Sequence, residues 1–317
     1  MSAVSLEGVG KRFGEFRAVS DLSFEVPNGI VYGILGPNGA GKSTTLRMLT
    51  DIIAADEGAI RLLDRFAPGR DAAMHMGYLP EERGLYPKMR VLDTLAFFGE
   101  LRGISRRRAR ELGVSWLERL GLSDWAGKRV NELSKGMQQK VQFATTFLHE
   151  PELVILDEPW SGLDPINAEV LKSIVMEQKA AGTTILFSTH LMEQAEQICD
   201  RVCIIAAGKR VAEGTVTELR RSGGQGLVFL EMEGAGDREK LLSEVLSNSE
   251  LVAGHREGDG GFTVELADGV EPGDLLRRVL DVGLELRRYH RVESSLQQVF
   301  VERVGNASVP RNPEEAS

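Results

Sequence analysis

The chain has 317 residues, 42% of them hydrophobic and 27% charged, enough for two globular domains with a sizeable core. A formal net charge of −9 argues against a broad nucleic-acid footprint, which needs clustered Lys and Arg, so no nucleic-acid partner is expected. No apolar stretch approaches the roughly 18 residues that span a bilayer. The opening MSAVSLEGVGKRF lacks the apolar run of a signal peptide. A cytoplasmic chain is expected, one that reaches any membrane through a partner.

The first ~220 residues alternate strand and helix patterns. Val4 and Leu6, then Leu22, Phe24 and Val26, show the period of two that marks antiparallel strands buried on one face. Ile30 to Leu35, Leu153 to Leu156 and Thr184 to Phe187 are nearly continuous apolar runs, as in strands buried on both faces. Helical faces lie between them: Leu46, Leu49 and Ile53; Val141, Ala144 and Leu148; Val170, Leu171, Ile174 and Val175. Residues 88–150 are helical without a convincing strand and read as a helical insertion. The expected fold is α/β, a mostly parallel core sheet with an antiparallel β layer at the N-terminus. The two cysteines, Cys199 and Cys203, have neither redox nor zinc spacing and read as buried small hydrophobes.

A further helix is announced by Thr215 and Glu218, spaced as a capping box. The flexible stretch Ser222-Gly223-Gly224-Gln225-Gly226 follows, which places a first domain at 1–222 and a linker at 223–226. Residues 227–304 read as strand 227–233, helix 237–247, strands 251–256 and 262–267 joined by Gly258-Asp259-Gly260-Gly261, a helix ending at Gly283, strand 284–290 and helix 294–304. That β-α-β-β-α-β order predicts a small α+β, ferredoxin-like accessory domain. The polar tail 305–317 is expected to be disordered.

Gly36-Pro37-Asn38-Gly39-Ala40-Gly41-Lys42-Ser43 fits G-x-x-x-x-G-K-[ST], preceded by a buried strand and followed by a helix expected from Ser43. Its glycines turn backbone amides inward around phosphate oxygens. Lys42 would reach the β- and γ-phosphates, and the Ser43 hydroxyl would ligate Mg²⁺. Leu153-Val154-Ile155-Leu156-Asp157-Glu158 is an apolar strand ending in two carboxylates. Asp157 is placed for the metal shell and Glu158 to polarise an attacking water, its bland alternative being a solvated loop acid. His190 lies past the end of Thr184-Ile185-Leu186-Phe187-Ser188-Thr189, where open sheets hold ligands, and can bond a γ-phosphate or serve structure alone.

The ordered set of motifs resembles the ATP-binding-cassette (ABC) nucleotide-binding domains over residues 1–220. Leu133-Ser134-Lys135-Gly136-Met137-Gln138-Gln139 resembles the family's signature loop, Ser161-Gly162-Leu163-Asp164 its D-loop, and Ser188-Thr189-His190 its switch histidine. The resemblance implies ATP and Mg²⁺ as cofactors and a head-to-tail pair of cassettes. It also implies ATPase activity, with Glu158, His190 and Lys42 as catalytic residues. ATP would contact Gly36, Asn38, Gly39, Gly41, Lys42, Ser43 and Thr44 of one cassette, and Ser134 and Gly136 of the other, with Asp164 at the same interface. Phe13, or its rival Phe16, would stack on adenine; a core role for either is the alternative. Two departures stand out. Lys135 and Met137 replace the third and fifth residues of LSGGQ. Glu81, in Tyr78-Leu79-Pro80-Glu81-Glu82-Arg83-Gly84-Leu85-Tyr86-Pro87, stands where most cassettes place a Gln that touches Mg²⁺, so Ser43, Asp157 and Glu81 form the implied metal set.

With the ending Ser295-Leu296-Gln297-Gln298-Val299-Phe300, these features resemble bacterial cassettes of two-component exporters, including sodium- and drug-efflux systems. The resemblance implies an integral membrane permease partner, attachment to the inner membrane face through it, and a second cassette, identical or paralogous. The rival class is a soluble cassette of translation or DNA repair. A single phosphate loop and the lack of sustained heptads count against it. A weakly active regulatory cassette is a third reading. Arg106-Arg107-Arg108-Ala109-Arg110 after Ser105 reads as a solvated helix face, or as contact with a partner or anionic headgroups.

Overall fold

The computed structural model describes residues 2–82, 84–223, 226–234, 237–258, 260–292 and 294–304. They fall into two compact units, the first up to Val216 together with Arg303 and Val304, and the second Thr217–Glu302.

In the first unit β1 (Ser2–Phe13) and β2 (Phe16–Pro27) form a hairpin; β3 (Val31–Leu35), α1 (Lys42–Leu49), β4 (Glu57–Leu62), α2 (Arg70–Ala73) and β5 (Met76–Leu79) follow. The helical insertion comprises α3 (Val91–Leu101), α4 (Arg106–Arg119) and α5 (Lys135–Phe147). Then come β6 (Leu153–Asp157), α6 (Pro165–Ala180), β7 (Thr184–Thr189), α7 (Met192–Ile198), β8 (Arg201–Ala206) and β9 (Lys209–Thr215). The six-stranded sheet has the order β5-β6-β7-β3-β8-β9, parallel except for β9, and a three-stranded antiparallel sheet has the order β2-β1-β4. This is the α/β architecture expected from the apolar runs.

β3, β6 and β7 are buried at every position. Each fully buried Val, Leu or Ile there contributes about 1.5–3 kcal/mol of transfer free energy. Between the sheets, Phe24 stacks on Tyr32 at 5.6 Å, within a core that also holds Leu6, Leu22, Ile34, Leu46 and Leu186. Ile53 lies past the end of α1 rather than on it, and packs against the same core. β4, β5 and β9 escape the sequence pattern. β4 has one buried residue and β5 only four in all, too few to show a period.

In the second unit α8 (Val216–Gly223) leads into β10 (Leu227–Met232), α9 (Asp237–Leu241) prolonged by a π-helical turn (Leu242–Leu246), β11 (Val252–Gly258), β12 (Gly261–Leu266), α10 (Pro272–Asp281), β13 (Leu286–Arg291) and α11 (Leu296–Val304). The sheet order β11-β12-β10-β13, antiparallel throughout, is the ferredoxin-like arrangement. Residues from Thr217 on group with this unit. The Ser294 amide donates to the Arg220 carbonyl, and a Cβ on Gly223 would strike Val299, so these residues pack within it. Gly224, Gln225, Asp259 and the tail 305–317 lie outside the described residues.

Candidate nucleotide site

Strand order brings the motifs together. β3 lies beside β7, and β7 beside β6, all parallel. The loop after β3, the acids ending β6 and the residues ending β7 therefore meet at one edge. Asp157 registers with Ser188, and Leu35 with Thr189.

Two of the loop's glycines, Gly36 and Gly41, lie against backbone that leaves no room for a Cβ. Gly41 holds φ +103°, and a Cβ there would lie 2.6 Å from the Ala18 carbonyl oxygen. α1 begins at Lys42 rather than Ser43, so the first-turn amides of Lys42, Ser43 and Thr44 belong to a helix N-terminus, which favours anions. Gly36 is buried, while Asn38 and Gly39 at the loop's tip are exposed.

Lys42 is 6% exposed. Its Nζ donates to the carbonyls of Gly36 (2.8 Å) and Pro37 (3.1 Å) and stands 3.8 Å from Glu158 Oε1. Burial pulls its pKa down, and the charges of Glu158, Asp157 and Glu81 oppose that shift. Asp157 is 1% exposed. Its Oδ1 accepts from Ser43 Oγ at 3.1 Å and from Ser188 Oγ. Burial raises its pKa, against the two hydroxyl bonds that lower it. A lone serine hydroxyl and a buried carboxylate converging on one point form the oxygen donor set that Mg²⁺ takes from a protein, with phosphate and water completing its shell. The residues present fit ATP with Mg²⁺.

Glu158 has φ +47°, a left-handed conformation that costs a non-glycine residue about 1–2 kcal/mol. The turn holds because the Glu158 amide donates to both the Ser188 carbonyl (3.2 Å) and its Oγ (3.3 Å). Its carboxylate, buried and not a solvated loop acid, accepts from the His190 amide (3.1 Å) and Nδ1 (2.9 Å). With Nδ1 donating to the carboxylate, His190 keeps Nε2 for a second partner.

Lys42, Ser43, Asp157, Glu158 and His190 are thus brought together. Glu81 is exposed, yet its charge acts on Lys42 and on Tyr78, whose hydroxyl is pushed up to about 12 mainly by burial. The signature and D-loop residues form a separate group. Ser134 caps α5, its Oγ accepting from the Met137 amide at 3.3 Å, and Asp164 caps α6, accepting from the Asn167 amide at 3.0 Å. Gly136 lies beside Leu163. Among the described residues, no hydrogen bond or ion pair ties Ser134 or Gly136 to the Lys42 group.

Phe13 is 51% exposed and Phe16 63%, which removes the core alternative for both; Lys11 Nζ lies 5.6 Å from the Phe13 ring centre. Arg106, Arg107, Arg108 and Arg110 pair with Glu100, Glu111 and Asp93, in keeping with a solvated helix face. Sequence reasoning missed Ser188 as the link between Asp157 and Glu158. Its one signal is its place next to Thr189-His190 at the strand end. Cys203 is buried, with its thiol pushed up to about 12 chiefly by burial, and Cys199 is partly buried. No helix among the described residues is long and apolar enough to cross a membrane.

A buried parallel strand feeding a glycine loop and a helix, with an acid-ended strand in the same sheet, defines the P-loop nucleotide-binding class. A family model for "ABC transporter" matches residues 19–161, and one for the DrrA1-3-like ATP-binding protein C-terminal domain matches residues 214–304. The chain is 40% identical to the ABC transporter ATP-binding protein YhaQ of Bacillus subtilis (strain 168), over 95% of this chain and 98% of that one. It is 34% identical to the daunorubicin/doxorubicin resistance ATP-binding protein DrrA of Streptomyces peucetius, over 99% of this chain and 96% of that one. A solved ATP-binding subunit of an ABC transporter superposes with a TM-score of 0.65 at 31% identity, covering 70% of this chain and 94% of that one. The chain belongs to the ABC transporter ATP-binding proteins.

Proposed function

We propose that this chain is the ATP-hydrolysing subunit of an exporter, coupling Mg-ATP turnover at a head-to-tail pair of cassettes to movement through a separate membrane permease. The observation that carries this reading is the convergence of Lys42, Ser43, Asp157, Glu158 and His190 at one sheet edge. In this reading the phosphate loop binds the β- and γ-phosphates, and Ser43 and Asp157 hold Mg²⁺, with Glu81 beside them. Bound Mg²⁺ neutralises phosphate charge and orients the γ-phosphoryl group. Glu158 accepts the proton of the attacking water, and His190, braced by Glu158, lies beside the γ-phosphate, where Nε2 bonds a phosphate oxygen as an N–H donor. Ser134 and Gly136 of the second cassette close the site. The Phe13 ring, on the hairpin end, stacks on adenine.

Export is proposed because relatives named for it align along this chain. The Nod factor export ATP-binding protein I of Burkholderia lata does so, 36% identical over 96% of this chain, and DrrA, named for drug resistance, aligns along 99% of it. The second unit is proposed as an accessory domain that supports assembly.

The purified chain is expected to release phosphate from ATP only with Mg²⁺. From detergent-solubilised membranes of its host it is expected to bring down a stoichiometric multi-spanning protein. Absence of Mg²⁺-dependent phosphate release from both the chain alone and its membrane complex would refute the enzymatic reading. Ribosomal proteins in place of a membrane protein would refute the transport reading and leave the ATPase standing.

A further inference from the structure

α5 begins at the Ser134 loop and ends against β5. Along one of its faces sit Gln139, Gln142 and Thr146, spaced three and four apart as on a helix stripe. The two glutamines are 5% and 4% exposed, unusual burial for so polar a side chain. Gln139 Nε2 donates to the Pro159 carbonyl at 3.4 Å, in the turn that carries Glu158. Gln142 Nε2 spends both its protons on carbonyls either side of Glu81, those of Pro80 (3.4 Å) and Glu82 (3.1 Å). Thr146 Oγ1 donates to the Gln142 carbonyl at 3.1 Å, with the Tyr78 carbonyl 3.5 Å away.

The Glu81 segment has little else to hold it. Sheet pairing of β5 ends at Leu79, opposite Leu156. Among the described residues, Gln142 supplies the hydrogen bonds found on residues 80–82. Gln142 also leaves its Oε1 buried with no hydrogen-bond partner. A leucine would fill the same space without that penalty, so packing alone gives no reason for an amide here.

We infer that Gln142, aided by Gln139, is a positioning residue: it clamps the Glu81 segment to the helix that bears Ser134 and Gly136. A shift of that helix when its N-terminus meets a nucleotide is then carried to Glu81 through Gln142 and to the Glu158 turn through Gln139. The inference rests on the proposed ATPase reading for its consequence, while the clamp itself is a property of the fold.

The test uses the full chain with Gln142→Leu, and Gln142→Met as a second variant should the first fail to fold. Amide hydrogen exchange is followed over residues 81–89 and over the phosphate loop. Loss of two part-buried hydrogen bonds to the segment's carbonyls is expected to loosen it, speed exchange in 81–89 about tenfold and leave the phosphate loop unchanged. Phosphate release is followed against Mg²⁺ concentration, and ATP affinity against a fluorescent ATP analogue in EDTA. The expected result is a lower kcat and a raised Mg²⁺ half-saturation at unchanged analogue affinity. The Mg²⁺ shift is expected to disappear when Glu81→Gln is already present, since Gln142 acts through Glu81. Unchanged exchange in 81–89 overturns the clamp whether or not the chain hydrolyses ATP. Changed exchange with unaltered Mg²⁺ dependence, or full additivity with Glu81→Gln, overturns the positioning role. A wild-type chain without phosphate release refutes the ATPase reading instead, and exchange still decides the clamp.

Discussion

The two halves of the candidate site are built on different principles. The half around Lys42 is interior. Lys42, Asp157 and Glu158 are buried, Gly36 and Gly41 sit where a Cβ has no room, and the two carboxylates are held by side chains from other elements. The half around Ser134 and Asp164 lies at exposed helix starts, and each side chain caps its own helix. The first half is shaped by the fold around it; the second fulfils a complete structural role within its own helix. A buried constellation therefore declares its chemistry in one chain. An exposed cap declares it only against a partner, and the caps' nucleotide role remains a proposal that mutation must separate from capping.

The largest expected effect comes from the buried half. Glu158→Gln keeps an oxygen for the His190 bonds but removes the proposed base, and turnover is expected to fall about 10²–10⁴-fold. ATP binding is expected to persist, and a nucleotide-bound pair of chains to accumulate on gel filtration. Wild-type turnover in that variant would remove Glu158 from the role, and with it the idea that the strained φ of +47° serves chemistry.

The exposed half gives a smaller, two-part effect. Ser134→Ala loses a helix cap, about 1 kcal/mol of stability. Ser105→Ala loses an equivalent cap on α4, where Ser105 Oγ accepts from the Arg108 amide at 3.4 Å, and serves as the control. Both variants are expected to melt a few degrees lower by calorimetry, about 2–4 °C for a domain of this size. Only Ser134→Ala is expected to slow turnover as well, while the affinity of dilute single chains for ATP stays unchanged. Equal turnover in the two variants would reduce Ser134 to a cap. Weakened ATP binding by the dilute chain would place its action within its own subunit.

What the sequence made legible follows the same division. Runs such as Ile30–Leu35 and Leu153–Leu156 are read easily because strands buried on both faces cannot be polar. The ferredoxin-like order of the second unit was legible from its turns and amphipathic helices. β4 and β5 were not, because one lies largely exposed and the other is four residues long. The phosphate loop announced Lys42 and Ser43, and the acid-ended strand announced Asp157 and Glu158. The contacts of Ser188 and Gln142 could not be foreseen. Both make their contacts 30 or more residues away in sequence, a pairing that only strand order and helix packing create.

The smallest effect is the most informative about the buried half, because it concerns what that half costs. Asp157 is a carboxyl whose burial raises its folded pKa above the ordinary value, and Glu158 adds to the rise. The folded chain then holds this proton more tightly than the unfolded chain. The associated stability is fully present below the ordinary carboxylate range and is lost as pH rises through the raised pKa. At neutral pH and without Mg²⁺, the wild type carries the whole penalty of an ionised buried acid. Asp157→Asn keeps an oxygen for Ser43 and Ser188 and carries none of it. The variant is therefore expected to melt higher than the wild type at pH 7, and the gap to close as pH falls through the carboxylate range. Adding Mg-ATP is expected to reverse the order, since only the wild type offers a charged ligand to the metal. A variant that melts lower at pH 7 in the absence of Mg²⁺ would mean that Ser43 and Ser188 hold the ionised acid better than burial disfavours it. The buried half would then be a satisfied network, without the electrostatic tension that a cation relieves.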